Sequence, residues 1–227
     1  MIIAFASPKG GVGKSTSTLV LASALRERGA DVSIVDADPN QPFAKAKNGW
    51  AALSGETPGI TVISCTEPDQ IIDAIDDAAD KTAYVLVDLE GTASQTVGWA
   101  MSRADLVLIP TQGSQLDANE AVKARKLVLN QEKALQRTVP YSFFFTRMSV
   151  IQPRGLKHIR KQFEDADLPV LPVPVTELEA YRAMFMYGGT VFDLEDADAP
   201  NLPGAKENAV AFSKSVTDLL GRNAEAA

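Results

Sequence analysis

Cysteine and histidine are nearly missing from this chain, which has one of each, Cys65 and His158, in 227 residues. A single cysteine excludes an internal disulfide framework and suits a reducing compartment. It ends the apolar run 60–65 and reads as a core thiol. His158 stands alone in a basic stretch, which argues against a metal role. Long hydrophobic runs are missing too. None approaches the ~20 residues needed to span a bilayer, so no membrane association is expected. The apolar opening 1–6 is followed by Lys9 and two glycines rather than a longer apolar stretch, so no secretory signal is expected and the protein should be cytoplasmic.

An overall basic charge is also lacking. The net charge of −7 argues at first against nucleic acid as a partner, but its distribution is uneven. Residues 1–122 carry 8 basic and 16 acidic side chains, residues 123–161 carry 10 and 1, and residues 162–227 carry 4 and 12. A block of +9 between two of −8 makes a local field that the total conceals.

What is present is an ordinary globular composition, 45% hydrophobic and 22% charged. Short β-rich runs alternate with helical patterns. This predicts an α/β fold with a doubly wound, mostly parallel sheet covered by helices on both faces. The runs 2–6, 32–36, 60–64, 83–88, 106–110, 141–146 and 170–172 read as strands. Helical periodicity fits 14–28, 68–79, 117–136, 153–165, 177–187 and 206–220, with Gly29 closing the first helix. The acidic, proline-containing stretch 193–204 reads as a surface loop. No repeat or linker divides residues 1–227, so a single domain is expected.

The first strand runs into Ser7-Pro8-Lys9-Gly10-Gly11-Val12-Gly13-Lys14-Ser15-Thr16, and a helix follows. Strand, glycine-rich turn, Gly-Lys-Ser and helix in that order are what a phosphate-binding loop requires. The glycines let successive N–H groups point inward at phosphate oxygens, and the helix N-terminus adds partial positive charge. Residues 9–16 are therefore the expected nucleotide cradle. Lys14 would reach the outer phosphates, and Ser15 would coordinate Mg²⁺. Asp36 and Asp38 close the second strand, whose C-terminal end faces the ligand crevice of such a sheet. A carboxylate there orients attacking water or holds a metal-bound water. Asp88, ending Tyr84-Val85-Leu86-Val87, is expected to bind Mg²⁺ through water, with Gly91 letting the backbone approach the γ-phosphate.

Lys-Gly-Gly-Val-Gly-Lys-Ser, with a second lysine early in the loop and Pro8 where the generic motif has glycine, resembles the variant loop of the ParA/MinD family of ATPases. Asp36-Ala37-Asp38-Pro39-Asn40 is similar to that family's Asp-x-Asp-Pro-Gln segment, with Asn40 for the commoner Gln. Ile109-Pro110-Thr111-Gln112 extends the likeness, and small ParA-type chains such as the VirC1 type are of similar length. The resemblance implies ATP and Mg²⁺ as cofactors and a homodimer closed around ATP, with Lys9 reaching the partner's nucleotide. It implies that Asp38 orients the nucleophilic water while Asp36 supports the metal shell. Hydrolysis would be slow and accelerated by a ParB-like or cargo-adaptor protein. The family often reads adenine with an Asn just after the sixth strand; here Thr146-Arg147 stands there, so backbone groups near Val173-Pro174-Val175 are the expected contact.

In the basic tract, Arg154, Lys157, Arg160 and Lys161 recur at helical spacing, with Arg147 just before them. Such a stripe fits DNA phosphates without reading sequence. In similar ParA proteins this half carries non-specific DNA binding that requires the ATP dimer, which implies nucleoid association in that state. The strand begins at residue 2, so no sequence-reading module is expected ahead of it. The alternatives are a MinD-like membrane switch and a switch that positions a protein cargo. The first would use the apolar stripe Ala209, Val210, Phe212, Val216, Leu219 and Leu220, but only Lys214 and Arg222 are basic nearby.

Overall fold

The computed structural model describes residues 1–45, 47–91, 94–112, 115–148 and 154–226, with side chains except those of 115–121, 154–158 and 226. In chain order the elements are β1 (Ile2–Phe5), α1 (Lys14–Glu27), β2 (Val32–Ala37), α2 (Trp50–Ser54), β3 (Ile60–Ser64), a 3-10 turn at Pro68–Gln70, α3 (Ile71–Ala79), β4 (Tyr84–Leu89) and α4 (Gln95–Arg103). They continue with β5 (Leu106–Thr111), α5 (Gln115–Leu135), β6 (Tyr141–Met148), α6 (Arg154–Asp165), β7 (Val175–Thr176), α7 (Glu179–Tyr187) and α8 (Leu202–Ala226).

The strands form one parallel sheet in the order β3-β2-β4-β1-β5-β6-β7. β1, β2 and β5 are buried at nearly every position because a parallel sheet is covered on both faces and buries both sets of side chains. One face packs Ile3, Phe5, Ile34, Leu86 and Phe144 against α1, α7 and α8. The other packs Ala4, Val35, Val87, Val107 and Phe145 against α3 to α6. This is the expected doubly wound α/β sheet.

Gly29 closes α1 as expected. It takes φ 84°, its N–H reaches the Arg26 carbonyl at 2.8 Å, and Ala30 N–H reaches the Leu25 carbonyl at 3.1 Å. In α8 the stripe Ala205, Ala209, Phe212, Val216 and Leu220 is buried in the core shared with α1. Most of the apolar stripe that a membrane switch would need is thus used in packing, with Leu219 partly buried and Val210 exposed. Among the described residues no helix is long and apolar enough to cross a membrane.

Three expectations shift. Val170 makes only an isolated bridge with Phe143, and the paired strand is Val175–Thr176. Pro172 and Pro174 lack the N–H groups that would continue a ladder through 171–174. Helix α8 starts at Leu202, and Leu194 and Ala199 in the supposed surface loop are buried. Two helices were not expected: α4, whose N-cap Ser94 accepts the Val97 N–H at 3.4 Å, and the five-residue α2.

Candidate functional site

The sheet order puts the C-terminal end of β1 between those of β4 and β5, and the glycine-rich loop emerges there. Gly11 and Gly13 take φ 67° and 99°, which open a turn that L side chains rarely allow. Gly13 caps α1 with no side chain, so the first-turn N–H groups have no side-chain acceptor and suit an anion. A cavity of about 430 Å³ opens over them, lined by residues of the loop together with Asp38, Pro39, Asn40, Glu90, Gly91 and Arg147.

Lys14 is buried at the head of α1, its Nζ 3.5 Å from the Lys9 carbonyl oxygen. Burial lowers its pKa, opposed by the nearby carboxylates of Asp88, Asp38 and Glu90. Lys9 is half-buried, and its backbone N–H donates to Ser7 Oγ at 3.2 Å. Gly91 lies against the loop so closely that a Cβ there would sit 2.7 Å from Gly10 N.

Asp36 and Asp88 are register partners on β2 and β4, and neither is exposed. Ser15 Oγ donates to Asp88 Oδ2 at 2.5 Å, while Asp88 Oδ1 has no partner among the described residues. Burial pushes the Asp88 pKa up to about 7, against the hydrogen bond from Ser15 and with a further rise from Asp36. Asp36 Oδ2 accepts the N–H groups of Phe43 at 2.9 Å and Ala44 at 2.8 Å. The Asp36 pKa is raised, chiefly by burial. So Asp36 lies beside the expected metal ligands, yet one of its oxygens ties down the chain after Asp38. Asp38 itself lines the cavity, where its Oδ1 accepts Asn40 N–H at 2.8 Å. Mg²⁺ is ordinarily held by one or two carboxylates together with substrate phosphates. Ser15 Oγ and the unpartnered oxygen of Asp88 supply that share, so the donor set fits.

A second cavity of about 190 Å³ adjoins the first and shares Gly13, Thr16 and Arg147 with it. Its far wall is Val175 to Leu178, Tyr181 and Arg182, and Ser17, whose buried Oγ has no partner among the described residues, also lines it. Of the expected base contacts, Val175 is on this wall and Pro174 is not. The Pro174 carbonyl accepts Asn208 Nδ2 at 2.9 Å, and Asn208 Oδ1 accepts Thr176 N–H and Tyr181 O–H at 3.1 and 3.0 Å. Thr146 Oγ1 donates to the Val12 carbonyl at 2.7 Å and so ties β6 to the phosphate loop. Sequence reading missed both Thr146 and Asn208. Nothing local marks a hydroxyl or amide whose partner lies 134 or 34 residues away.

The basic tract is not uniform. Arg160 lies 5.1 Å over the Phe145 ring centroid, and Lys161 is exposed. The side chains of Arg154, Lys157 and His158 lie outside the described residues. Arg137 donates to the carbonyls of Met101, Ser102 and Ala104 at the end of α4, a structural task.

The family described as VirC1 protein matches residues 1–211. Protein ParA of Rhizobium radiobacter is 34% identical over 221 residues, covering 96% of this chain and 97% of its own. The cell division ATPase MinD of Pyrococcus furiosus superposes with a TM-score of 0.69 at 20% identity, over 94% of this chain and 98% of its own. An ATP complex of Cyanothece McdA does so with 0.62 at 18%, over 91% and 95%. A loop, two aspartates and a serine gathered at the C-terminal ends of the strands, matched along nearly the whole chain, lead to one conclusion: the protein belongs to the VirC1 family, is related to ParA, and has the fold of the MinD-type P-loop proteins.

Proposed function

We propose that residues 1–227 act as one ATPase domain that dimerises around ATP, binds DNA without sequence preference in that state, and positions a plasmid, chromosome or other cargo. The observation that carries this reading is the cavity over the loop, which gathers Lys14, Ser15 and Asp38 beside the buried Asp88. Lys14 and the loop amides bind the phosphates of ATP, and Lys9 completes the partner's site. Ser15, with Asp88 through water, holds Mg²⁺, which offsets phosphate charge. Asp38 lines the cavity and orients the water that attacks the γ-phosphate. Hydrolysis gives ADP and phosphate slowly, and an adaptor protein accelerates it.

The DNA-facing surface in this reading is the exposed side of α6. Ile159 and Phe163 are buried in the core, which leaves Lys161 outward. The test uses the Asp38→Ala protein on random-sequence duplex with ATP, with ADP and without nucleotide, at two salt concentrations. Binding only with ATP, weakening steeply with salt, is the expected result. An ATP dimer that ignores DNA in every state would turn the reading to a protein-cargo switch. ATP-dependent dimerisation by light scattering, lost in Lys9→Ala, checks the dimer separately.

A further inference from the structure

Arg147 is grouped by sequence with the basic residues that follow it, but the fold gives it another neighbourhood. Alternation from Phe143 and Phe145, which face α3 to α6, would send residue 147 to that same face. Instead the β6–β7 register shifts between Thr146 and Met148, and Met148 takes the inward place. Arg147 is the extra residue of this bulge. It holds φ 52°, a left-handed conformation that non-glycine residues rarely adopt. A bulge re-aims a side chain, and here it turns an exposed arginine toward the nucleotide site.

Arg147 lies where the two cavities meet, since Gly13, Thr16 and Arg147 line both. A nucleotide with its phosphates on the loop amides and its base in the smaller cavity passes its ribose and α-phosphate over that junction. Arg147 has no ion-pair partner among the described residues. Arg182 across the smaller cavity, by contrast, is engaged by Glu177 at 2.7 Å and Glu179 at 3.0 Å.

We propose that Arg147 is a nucleotide-binding residue, its guanidinium gripping the ribose and α-phosphate, and not part of the DNA-facing stripe. The proposal rests on the nucleotide reading given above. An arginine–phosphate contact is charge-assisted and directional. Its loss should therefore weaken ADP and ATP alike, because both carry the groups it holds.

The test is Arg147→Gly in the full chain, which removes the side chain and keeps the left-handed backbone unstrained, with Arg147→Asn as a second tolerant variant. Titration with a fluorescent ADP analogue, and competition by ATP, should show both dissociation constants raised about tenfold, with the unliganded thermal midpoint held. Unchanged constants for both nucleotides, with or without loss of DNA binding, would overturn the proposal. So would a loss confined to ATP, which would move Arg147 to the γ-phosphate. Lys14→Ala separates the two levels: if it too keeps full ADP affinity, the nucleotide reading itself fails.

Discussion

Asp36 and Asp88 stand opposite each other at the ends of β2 and β4, both fully buried, yet they hold different parts of the site. Asp88 accepts from Ser15, and Asp36 accepts from the backbone of residues 43 and 44. The two carboxylates share a low-dielectric space with one buried lysine, and burial raises the pKa of both.

That rise has a pH signature. The Asp88 pKa is raised to about 7 from an ordinary 3.8, so the folded protein holds a proton that the unfolded chain releases. The stability this confers is full below the unfolded value and is lost as pH rises through about 7. Asp36, also raised by burial, adds the same sign. Without Mg²⁺ or nucleotide, the melting temperature should fall by several degrees between about pH 5 and about pH 8. Asp88→Asn should flatten that slope in scanning calorimetry with chelator present. A variant that melts with the wild-type slope would locate the titration elsewhere.

Gly91→Ala tests how tightly the end of β4 abuts the loop. The new Cβ would lie 2.7 Å from Gly10 N and 2.9 Å from its Cα, and backbone atoms cannot swing aside as a side chain can. Nucleotide affinity should fall by about tenfold or more as the loop is displaced, with circular dichroism unchanged. Wild-type affinity would show that the loop tolerates the shift.

Thr146→Val keeps the shape of the side chain and removes its hydroxyl. The Val12 carbonyl then loses its 2.7 Å partner, and the Thr111 carbonyl loses a weaker one at 3.3 Å. Leaving a buried acceptor unpaired costs about 1–3 kcal/mol, which urea unfolding resolves. A change within error would mean that water reaches the Val12 carbonyl in solution.

Much of the architecture was legible because it rests on local patterns. The apolar runs of β1, β2 and β4 have to be buried on both faces, and Gly11 and Gly13 are placed where only a positive φ makes the turn. Helix α4 was not legible. Its residues 95–103 include Gly98 and Trp99, and a helix there is held by packing of Val97, Ala100 and Met101 on the sheet. The seventh strand was misplaced because residues 170–172 carry an apolar pattern that Pro172 and Pro174 prevent from pairing on.

The sequence by itself determined the phosphate loop, its lysines and serine, and the aspartates at the strand ends, since each depends on neighbours within a few residues. Only the tertiary structure decided which oxygens of Asp36 and Asp88 are already engaged, which distant partners Thr146 and Asn208 bond, and that Arg147 is the extra residue of a bulge and lines the cavity over the loop. Those relations join strands and helices far apart in the chain. Sheet order and register fix them, and a one-residue shift in β6 is enough to change which face a side chain serves.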